Sequence, residues 1–325
     1  MYTHAPTRKE RNITLDRLVH AFVRLAVVVL ASLPVGLARK LGRGIGRLAW
    51  RIDKRHRLQV LRNMDIAFRD EKSQSEKEDL CRRYFEHVGL SVVEIARLTH
   101  LTPENVTDLC DLTELRQVDA VIAQKKGLLI VPAHHGNWEL CGYSVALKGY
   151  PLKSVARPLD NPQLNEFLMN HRQKSGNVII EKWKVLWKLK KMLDKGDIIT
   201  MSVDQNGGVA GMFVPFFGSL ASTVSSPADL HVIVGTPIIV ATMNRKADGV
   251  THVFRVWDVI EHEPDADPKT GARRVLTRIN AAVERSIREY PEQWLWVHKR
   301  WKTRPPGEQP TVDGLPPLIE RIKES

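Results

Sequence analysis

Beyond residue 126, short continuous apolar runs alternate with longer segments in which apolar residues recur every three or four positions. The runs, beginning with GLLIVPA, are typical of strands that are covered on both faces, and the longer segments indicate helices. This alternation predicts an α/β fold with a mostly parallel central sheet flanked by helices. The predicted strands are 127–133, 152–157, 197–203, 237–243 and 252–260, and the predicted helices are 138–148, 161–174, 183–195, 222–234 and 271–289.

The preceding part of the chain has helical periodicity only. We expect helices over 36–68 and 75–98, the second of them started by a capping box of Ser75 and Glu78. Asp111 with Glu114 repeats that cap before a third helix that ends near Gln124. The predicted organisation is a single α/β domain with a short segment at either end. Its parts are an N-terminal membrane anchor (1–35), a domain (36–305) with a helical part (36–124) and a sheet-containing catalytic part (125–305), and a C-terminal tail (306–325).

An apolar stretch near the amino end predicts a hydrophobic membrane-attachment helix. Its uncharged core, LAVVVLASLPVGLA at 25–38, is shorter than the roughly 20 residues that span a bilayer comfortably. Extended back to Leu18, it can cross at a tilt or lie in the interface, and a buried core helix is the alternative. The basic cluster from Arg39 to Arg57 follows the stretch, which predicts that the main body lies on the cytoplasmic side.

Composition narrows the classes of protein. The chain of 325 residues is 43% hydrophobic, which excludes intrinsic disorder, and its net charge of +12 suggests an anionic partner: nucleic acid, anionic lipid or an acidic protein. Its three cysteines form neither a disulfide framework nor a zinc signature, so we expect no metal. The glycines of GRGIGR at 42–47 follow no strand, and we interpret them as a site of close helix packing.

The candidate chemistry follows the first predicted strand, in the segment His134-His135-Gly136-Asn137-Trp138-Glu139. His134 stands at the carboxyl end of that strand, where α/β proteins bind ligands. Gly136 permits a tight turn after it, and Asn137 can cap the next helix. Glu139 falls in the first turn of the next helix, from which it can orient an imidazole so that His134 acts as a general base. The spacing alone leaves two alternatives open: His135 is an equal candidate for the base, and Glu139 can simply complement the helix dipole.

Three further charged residues are candidates for substrate binding. Arg157 ends the next strand and can bind a phosphate, although a surface ion pair also explains it. Asp204 ends a strand too, and it can organise an acceptor pocket, pair with Arg157 or cap a helix. Arg172 can contact a polar head group or belong to a solvated face. The lysines of the amphipathic segment 181–195 can face anionic lipid or an acidic carrier protein.

Several motifs together resemble a known family. They are HHGNWE with its H-x4-E spacing, Arg157-Pro158, MSVDQNGG, FVPFFG at 213–218 and PEQWLWVHKRWKTRP at 291–305. From about residue 36 to 305 the chain resembles the bacterial lipid A late acyltransferases, which carry an H-x4-D/E motif after a strand. Only His134 with Glu139 satisfies this spacing, so the resemblance favours His134 as the catalytic base and Glu139 as the residue that orients it.

The resemblance implies a membrane-associated acyltransferase of the bacterial inner membrane, with no cofactor. The donor would be an acyl thioester of acyl carrier protein or of CoA, and the acceptor a hydroxyl of a lipid A precursor. Another glycolipid or lysophospholipid acceptor, with acyl-CoA as donor, is an alternative that the motif leaves open. A non-catalytic basic protein that binds membrane or nucleic acid is a third reading. The chain has no helix-turn-helix, zinc-finger or RNP signature, which argues against nucleic acid.

Overall fold

A seven-stranded sheet forms the centre of the computed structural model, which describes residues 12–182, 185–262 and 267–319. The strands are β1 (Cys110–Asp111), β2 (Leu128–Gly136), β3 (Leu152–Ala156), β4 (Val178–Glu181), β5 (Ile198–Thr200), β6 (Met212–Phe216), β7 (Ser219–Thr223), β8 (Ile238–Arg245) and β9 (His252–Ile260). Their order in the sheet is β1-β9-β8-β2-β5-β3-β4, and every neighbouring pair is parallel except β8 with β9. Strands β6 and β7 form a separate antiparallel hairpin.

Helices cover both faces of the sheet, which confirms the predicted α/β class with a mostly parallel sheet. The α-helices are α1 (Ile13–Ser32), α2 (Val35–Ile52), α3 (Lys54–Phe68), α4 (Gln74–Ala96), α5 (Val106–Leu109), α6 (Leu115–Ile122), α7 (Trp138–Leu147), α8 (Pro162–Gln173), α9 (Leu186–Leu193), α10 (Ser226–Val234) and α11 (Pro268–Glu289). Four 3-10 turns occupy Arg69–Glu71, Leu98–His100, Gly208–Ala210 and Pro291–Gln293.

Side-chain alternation along β2 divides the core into two layers. Leu129, Val131 and Ala133 pack into one layer with α10 and α11, whereas Leu128 and Ile130 pack into the other with α7. Both layers are well buried, as expected of a strand between two layers of helices. The period of two therefore decides which side of the sheet each residue at the end of β2 faces.

The structure corrects several predicted boundaries in the helical part. The helix predicted over 36–68 is two helices, because Asp53 ends α2 and its side chain caps α3 by accepting from the His56 N–H. The capping box of α4 uses Ser73 and Glu76, two residues before the predicted pair. The cap predicted from Asp111 is also wrong, since its carboxylate accepts from the Thr113 N–H instead.

Several elements were not predicted from the sequence pattern, because they are short or lie in a loop-rich segment. The hairpin of β6 and β7 occupies the FVPFFG motif and part of the helix predicted over 222–234. The edge strand β4 was not predicted either. Asn161 caps α8, because its side chain accepts from the N–H groups of Gln163 and Leu164. Trp183, which was predicted to begin a helix, lies outside the described residues, as do parts of the predicted anchor and tail.

Small residues bring α2 against α4. A Cβ added to Gly46 would lie 2.3 Å from the Phe85 carbonyl oxygen, and one added to Gly42 would lie 2.7 Å from the Gly89 oxygen. This close approach confirms that GRGIGR is a helix-packing motif. The buried face of α2 is consequently made of Ala38, Gly42 and Gly46, while its large aliphatic residues remain exposed.

The apolar stretch near the amino end is divided between two helices, since α1 ends at Ser32 and residues 35–38 belong to α2. The guanidinium of Arg97, the residue directly after α4, donates to the carbonyls of Leu30, Ala31 and Leu33, and it thereby satisfies groups that the end of α1 leaves free. Among the residues that the structure describes, no helix has both the length and the apolarity required to cross a bilayer.

The packing of α2 predicts opposite effects for two alanine substitutions in one helix. Gly46→Ala is expected to lower the free energy of unfolding by about 1–3 kcal/mol, because the new Cβ meets backbone atoms that cannot move aside. Gly44→Ala is the matched control: nothing lies within 4 Å of its Cβ, so the change is expected to stabilise α2 by about 0.5–1 kcal/mol. Denaturant titration of both variants measures the difference, and equal effects would contradict the close contact.

Candidate active site

His134 and His135 occupy the end of β2 but face opposite sides of the sheet. Ile130, Pro132 and His134 share one side and line a large cavity, as the alternation along the strand requires. His135 is fully buried on the other side, where its Nε2 contacts the Tyr290 carbonyl oxygen at 2.9 Å. Burial lowers the pKa of His135 to about 4. Of the two candidates for the base, only His134 is therefore accessible to a substrate in the cavity.

The turn after the histidines depends on Gly136. Its φ is +65°, and a Cβ added there would lie 1.9 Å from the Met243 carbonyl oxygen. Glycine is thus required both by conformation and by the approach of β8. Asn137 then caps α7, with its side chain accepting from the Leu140 N–H at 3.0 Å. These are the roles that the sequence predicted for Gly136 and Asn137.

The partner of His134 is Asp204. The imidazole Nδ1–H donates to Asp204 Oδ1 over 2.8 Å, and the His134 backbone N–H donates to Oδ2 over 2.7 Å. Asp204 reaches His134 because it follows β5, the parallel neighbour of β2, so both residues stand at the same edge of the sheet. The carboxylate fixes the proton on Nδ1, which leaves the lone pair of Nε2 free to accept a proton.

The predicted contact between Glu139 and His134 is corrected by the structure. Both carboxylate oxygens of Glu139 are held by the guanidinium of Arg172 on α8, with Nε 2.8 Å from Oε2. Glu139 does lie in the first turn of α7, as predicted, but its side chain points toward α8. Asp204 therefore orients His134, and Glu139 forms a half-buried ion pair beside it. Arg172, predicted to bind a head group, is engaged by Glu139 while still lining the cavity.

The electrostatics of the pair favour a charged imidazolium. Burial opposes protonation of His134, but the charge of Asp204 and their hydrogen bond outweigh it, so the pKa of His134 is raised. Burial alone would raise the pKa of Asp204. The charge and hydrogen bonds of His134, together with the hydrogen bond from the Trp294 indole N–H, hold this pKa far below its ordinary value. A general base of this kind is strengthened, and the charge that it acquires in the reaction is stabilised.

A buried ionic network contacts the turn between β2 and α7. Glu94 on α4 accepts two hydrogen bonds from the Arg245 guanidinium, at 3.0 and 2.7 Å, and a third from the Asn137 amide at 3.0 Å. His87 of the same helix lies 3.2 Å from the Gly136 carbonyl oxygen. Removing one partner would leave a buried charge uncompensated, which is strongly destabilising. The complete network therefore stabilises the backbone of the turn.

The cavity beside His134 has a volume of about 990 Å³, at the upper end of the range for small-molecule sites. Its wall is largely apolar and suits a hydrocarbon chain. Arg157 lies at its rim, as predicted, with its side chain 58% exposed and its guanidinium 3.1 Å from the Asp160 carboxylate. The predicted pairing of Arg157 with Asp204 is wrong, since Asp204 bonds His134. Apolar residues of the wall include Leu98, Ile130, Val145, Leu152, Leu168 and Phe254.

Two neighbours of the pair were missed as site residues. Trp294 donates its indole N–H to Asp204 Oδ2 over 2.9 Å, and Gln205 places its side-chain nitrogen 3.4 Å from His134 Nε2. The signals were present, because Gln205 adjoins Asp204 and Trp294 belongs to the carboxyl-terminal motif. Arg300 of that motif is fully buried and donates to the Ser222 carbonyl and the Thr223 hydroxyl.

The His134–Asp204 pair and the cavity beside it indicate an enzyme that uses general-base catalysis. An imidazole with one nitrogen fixed on a buried carboxylate, and the other facing a largely apolar cavity, can act as a general base toward a substrate with an apolar chain. The chain belongs to the bacterial lipid A biosynthesis acyltransferase family, whose sequence model matches residues 7–303. The protein is thus an acyltransferase.

Its relatives differ in the acyl group that their names carry. The lipid A biosynthesis lauroyltransferase of Escherichia coli K12 is 29% identical over 282 residues, which cover 86% of this chain and 90% of the relative. The palmitoleoyltransferase of the same organism is 28% identical, covering 85% and 89%. The myristoyltransferase is 23% identical, covering 81% and 80%. The family thus includes members named for different acyl groups.

The raised pKa of His134 is predicted to depend on Asp204. In Asp204→Asn the negative charge is lost while burial remains, so the pKa of His134 is expected to fall. Titration of the His134 ring by NMR measures the change. Asp229→Asn is the control, because Asp229 also lines the cavity but bonds Ser225. A His134 pKa that stays the same in Asp204→Asn, or falls equally in the control, would show that another group sets it.

Proposed function

We propose that this acyltransferase moves a fatty acyl chain from an acyl carrier protein thioester to a hydroxyl of a lipid A precursor, at the cytoplasmic face of the inner membrane. The observation that carries the proposal is the His134–Asp204 pair at the wall of a large apolar cavity. Membership of the lipid A family supports the acceptor class. The apolar wall supports an acyl chain as the bound group.

The reaction needs one base and no covalent enzyme intermediate. His134 Nε2 takes the proton of the acceptor hydroxyl as its oxygen attacks the thioester carbonyl carbon. The tetrahedral intermediate then collapses, the carbon–sulfur bond breaks, and the proton on Nε2 passes to the leaving thiolate. Ester and free thiol are the products. Asp204 holds the Nδ1 proton throughout and stabilises the transient imidazolium.

The remaining candidates surround this reaction in distinct positions. Arg157, exposed at the rim, is suited to a phosphate of the donor arm or of the acceptor. Arg172 and Glu139 lie deeper, where their ion pair links α8 to the first turn of α7. The amino end of α7 begins directly after the histidines, and its dipole favours negative charge developing on the thioester oxygen.

The outer surface of α1 and α2 supports membrane association. The large aliphatic residues of α2 point outward because small residues fill the contact between α2 and α4, and those of α1 are also exposed. An exposed apolar surface flanked by basic residues fits the interface of an anionic bilayer. The exposed residues are Ile13, Leu15, Leu18, Val19, Phe22, Leu25, Val28 and Val29 on α1, and Val35, Leu37, Leu41, Ile45, Leu48 and Ile52 on α2.

Membrane association is predicted to depend on these outward residues. The double substitution Leu41→Gln with Ile45→Gln removes two neighbours on one face of α2 and is expected to weaken binding to anionic vesicles about tenfold or more. Vesicle co-sedimentation measures the affinity. Ile233→Gln with Val312→Gln is the matched control, since both residues are exposed outside α1 and α2. Equal binding by the two double variants would remove α2 from the interface.

The acceptor is tested in cells that lack the chromosomal gene. Their lipid A, measured by mass spectrometry, is expected to lack one acyl chain. Wild-type protein should restore that chain and His134→Ala should not, because general-base help is worth about 10²–10⁴ in rate. Unchanged lipid A in the deletion strain would refute the acceptor assignment and point to another glycolipid or lysophospholipid.

The donor is tested in parallel with purified protein. Acyl carrier protein thioesters are expected to react faster than the corresponding CoA thioesters with the same acceptor. His134→Ala should be inactive with both, while it binds vesicles as the wild type does. Preference for CoA would overturn the donor and leave the base assignment standing.

A further inference from the structure

Asp204 needs an anchor if it is to orient His134. The torsion that turns an aspartate carboxylate is broad and weakly restricted, so hydrogen bonds rather than rotamer preference determine which oxygen faces the imidazole. Asp204 is almost fully buried in the irregular segment after β5. Its Oδ1 accepts from the His134 ring, and its Oδ2 accepts from the His134 backbone and from Trp294. Trp294 therefore donates to Asp204 independently of His134.

Trp294 is held firmly enough to serve as that anchor. Its side chain is 1% exposed and packs edge-on against the rings of Trp296, at 4.8 Å, and Phe216, at 5.6 Å. The next residue, Leu295, donates its backbone N–H to the His134 carbonyl over 2.9 Å. One carboxyl-terminal segment thus contacts both His134 and Asp204, and it positions the two residues relative to each other.

We propose that Trp294 is a positioning residue for acyl transfer, whose indole N–H fixes Asp204 in the orientation that presents Oδ1 to His134. The inference rests on the proposed role of His134 as base and deepens it. The simpler explanation is that any buried indole needs an acceptor. Trp296 illustrates that case, since it is equally buried but donates to the Pro291 carbonyl oxygen over 2.6 Å. The two tryptophans therefore form a matched pair for a test.

Trp294→Phe keeps an aromatic ring and removes the donor. Since a general base contributes about 10²–10⁴ in rate, a loosened one is expected to lower kcat about 10–100-fold with little change in KM. The acid limb of the kcat/KM profile should move to lower pH, because His134 loses part of the influence of Asp204. Other charged or titratable groups that act on the pair are His135, His298 and Arg300 toward Asp204, and Glu139 and Arg172 toward His134.

Trp296→Phe is the control and should lose stability without moving the acid limb or lowering kcat comparably. A wild-type kcat and acid limb in folded Trp294→Phe would overturn the proposal. So would equal losses in both variants, which would reduce Trp294 to a packing residue. Inactivity of His134→Ala tests the base separately, so failure of the anchor and failure of the base are distinguishable.

A second measurement covers the case in which Trp294→Phe does not fold. In protein labelled with 15N-tryptophan, Asp204→Asn replaces a charged acceptor with a neutral one. The indole N–H resonance of Trp294 is expected to shift upfield, because hydrogen bonds to ionised acceptors are stronger. The Trp296 resonance, identified by its loss in Trp296→Phe, should stay in place. If no indole resonance moves in Asp204→Asn, Trp294 does not anchor Asp204.

Discussion

The hydrogen bond between His134 Nδ1 and Asp204 Oδ1 joins the ends of two parallel strands, and the surrounding structure is organised to maintain it. The two residues are 70 positions apart, but β2 and β5 are neighbours in the sheet. The bond fixes the tautomer of the imidazole and leaves its second nitrogen beside the cavity. A buried carboxylate is costly unless its lone pairs are occupied, and here three N–H groups from His134 and Trp294 occupy them.

Several elements hold the backbone that carries His134. Gly136 allows β8 to approach the turn, and Leu295 bonds the His134 carbonyl from the carboxyl-terminal segment. Glu94, paired with Arg245, holds the cap residue Asn137. Each contact comes from a different part of the chain, so the turn is restrained on several sides. Catalysis by a general base benefits from such restraint, because misplacement by a fraction of an ångström lowers the rate.

The helical part uses its residues in an unusual way. In α2 the small residues face the protein and the large apolar ones face outward, the reverse of an ordinary surface helix. Contact between Gly46 and the backbone of α4 makes this inversion possible. Helix α4 carries Glu94, which contacts the turn after β2, and it is followed directly by Arg97, which contacts the end of α1. The proposed membrane face and the catalytic turn are therefore attached to one helix.

Local pattern was sufficient to predict the α/β class, the position of His134 at a strand end, the cap at Asn137 and the glycine packing of α2. These depend on periodicity and on near neighbours, both of which can be read along the chain. The partner of His134 was not predictable in this way: Glu139 was predicted from its place in the first turn of the next helix and from the H-x4-E spacing of the family that the chain resembles. Strand order brought Asp204 beside His134, the segment after α11 brought Trp294 to Asp204, and Arg172 drew Glu139 away. Long-range pairing is a property of the assembled sheet, and so the tertiary structure decided it.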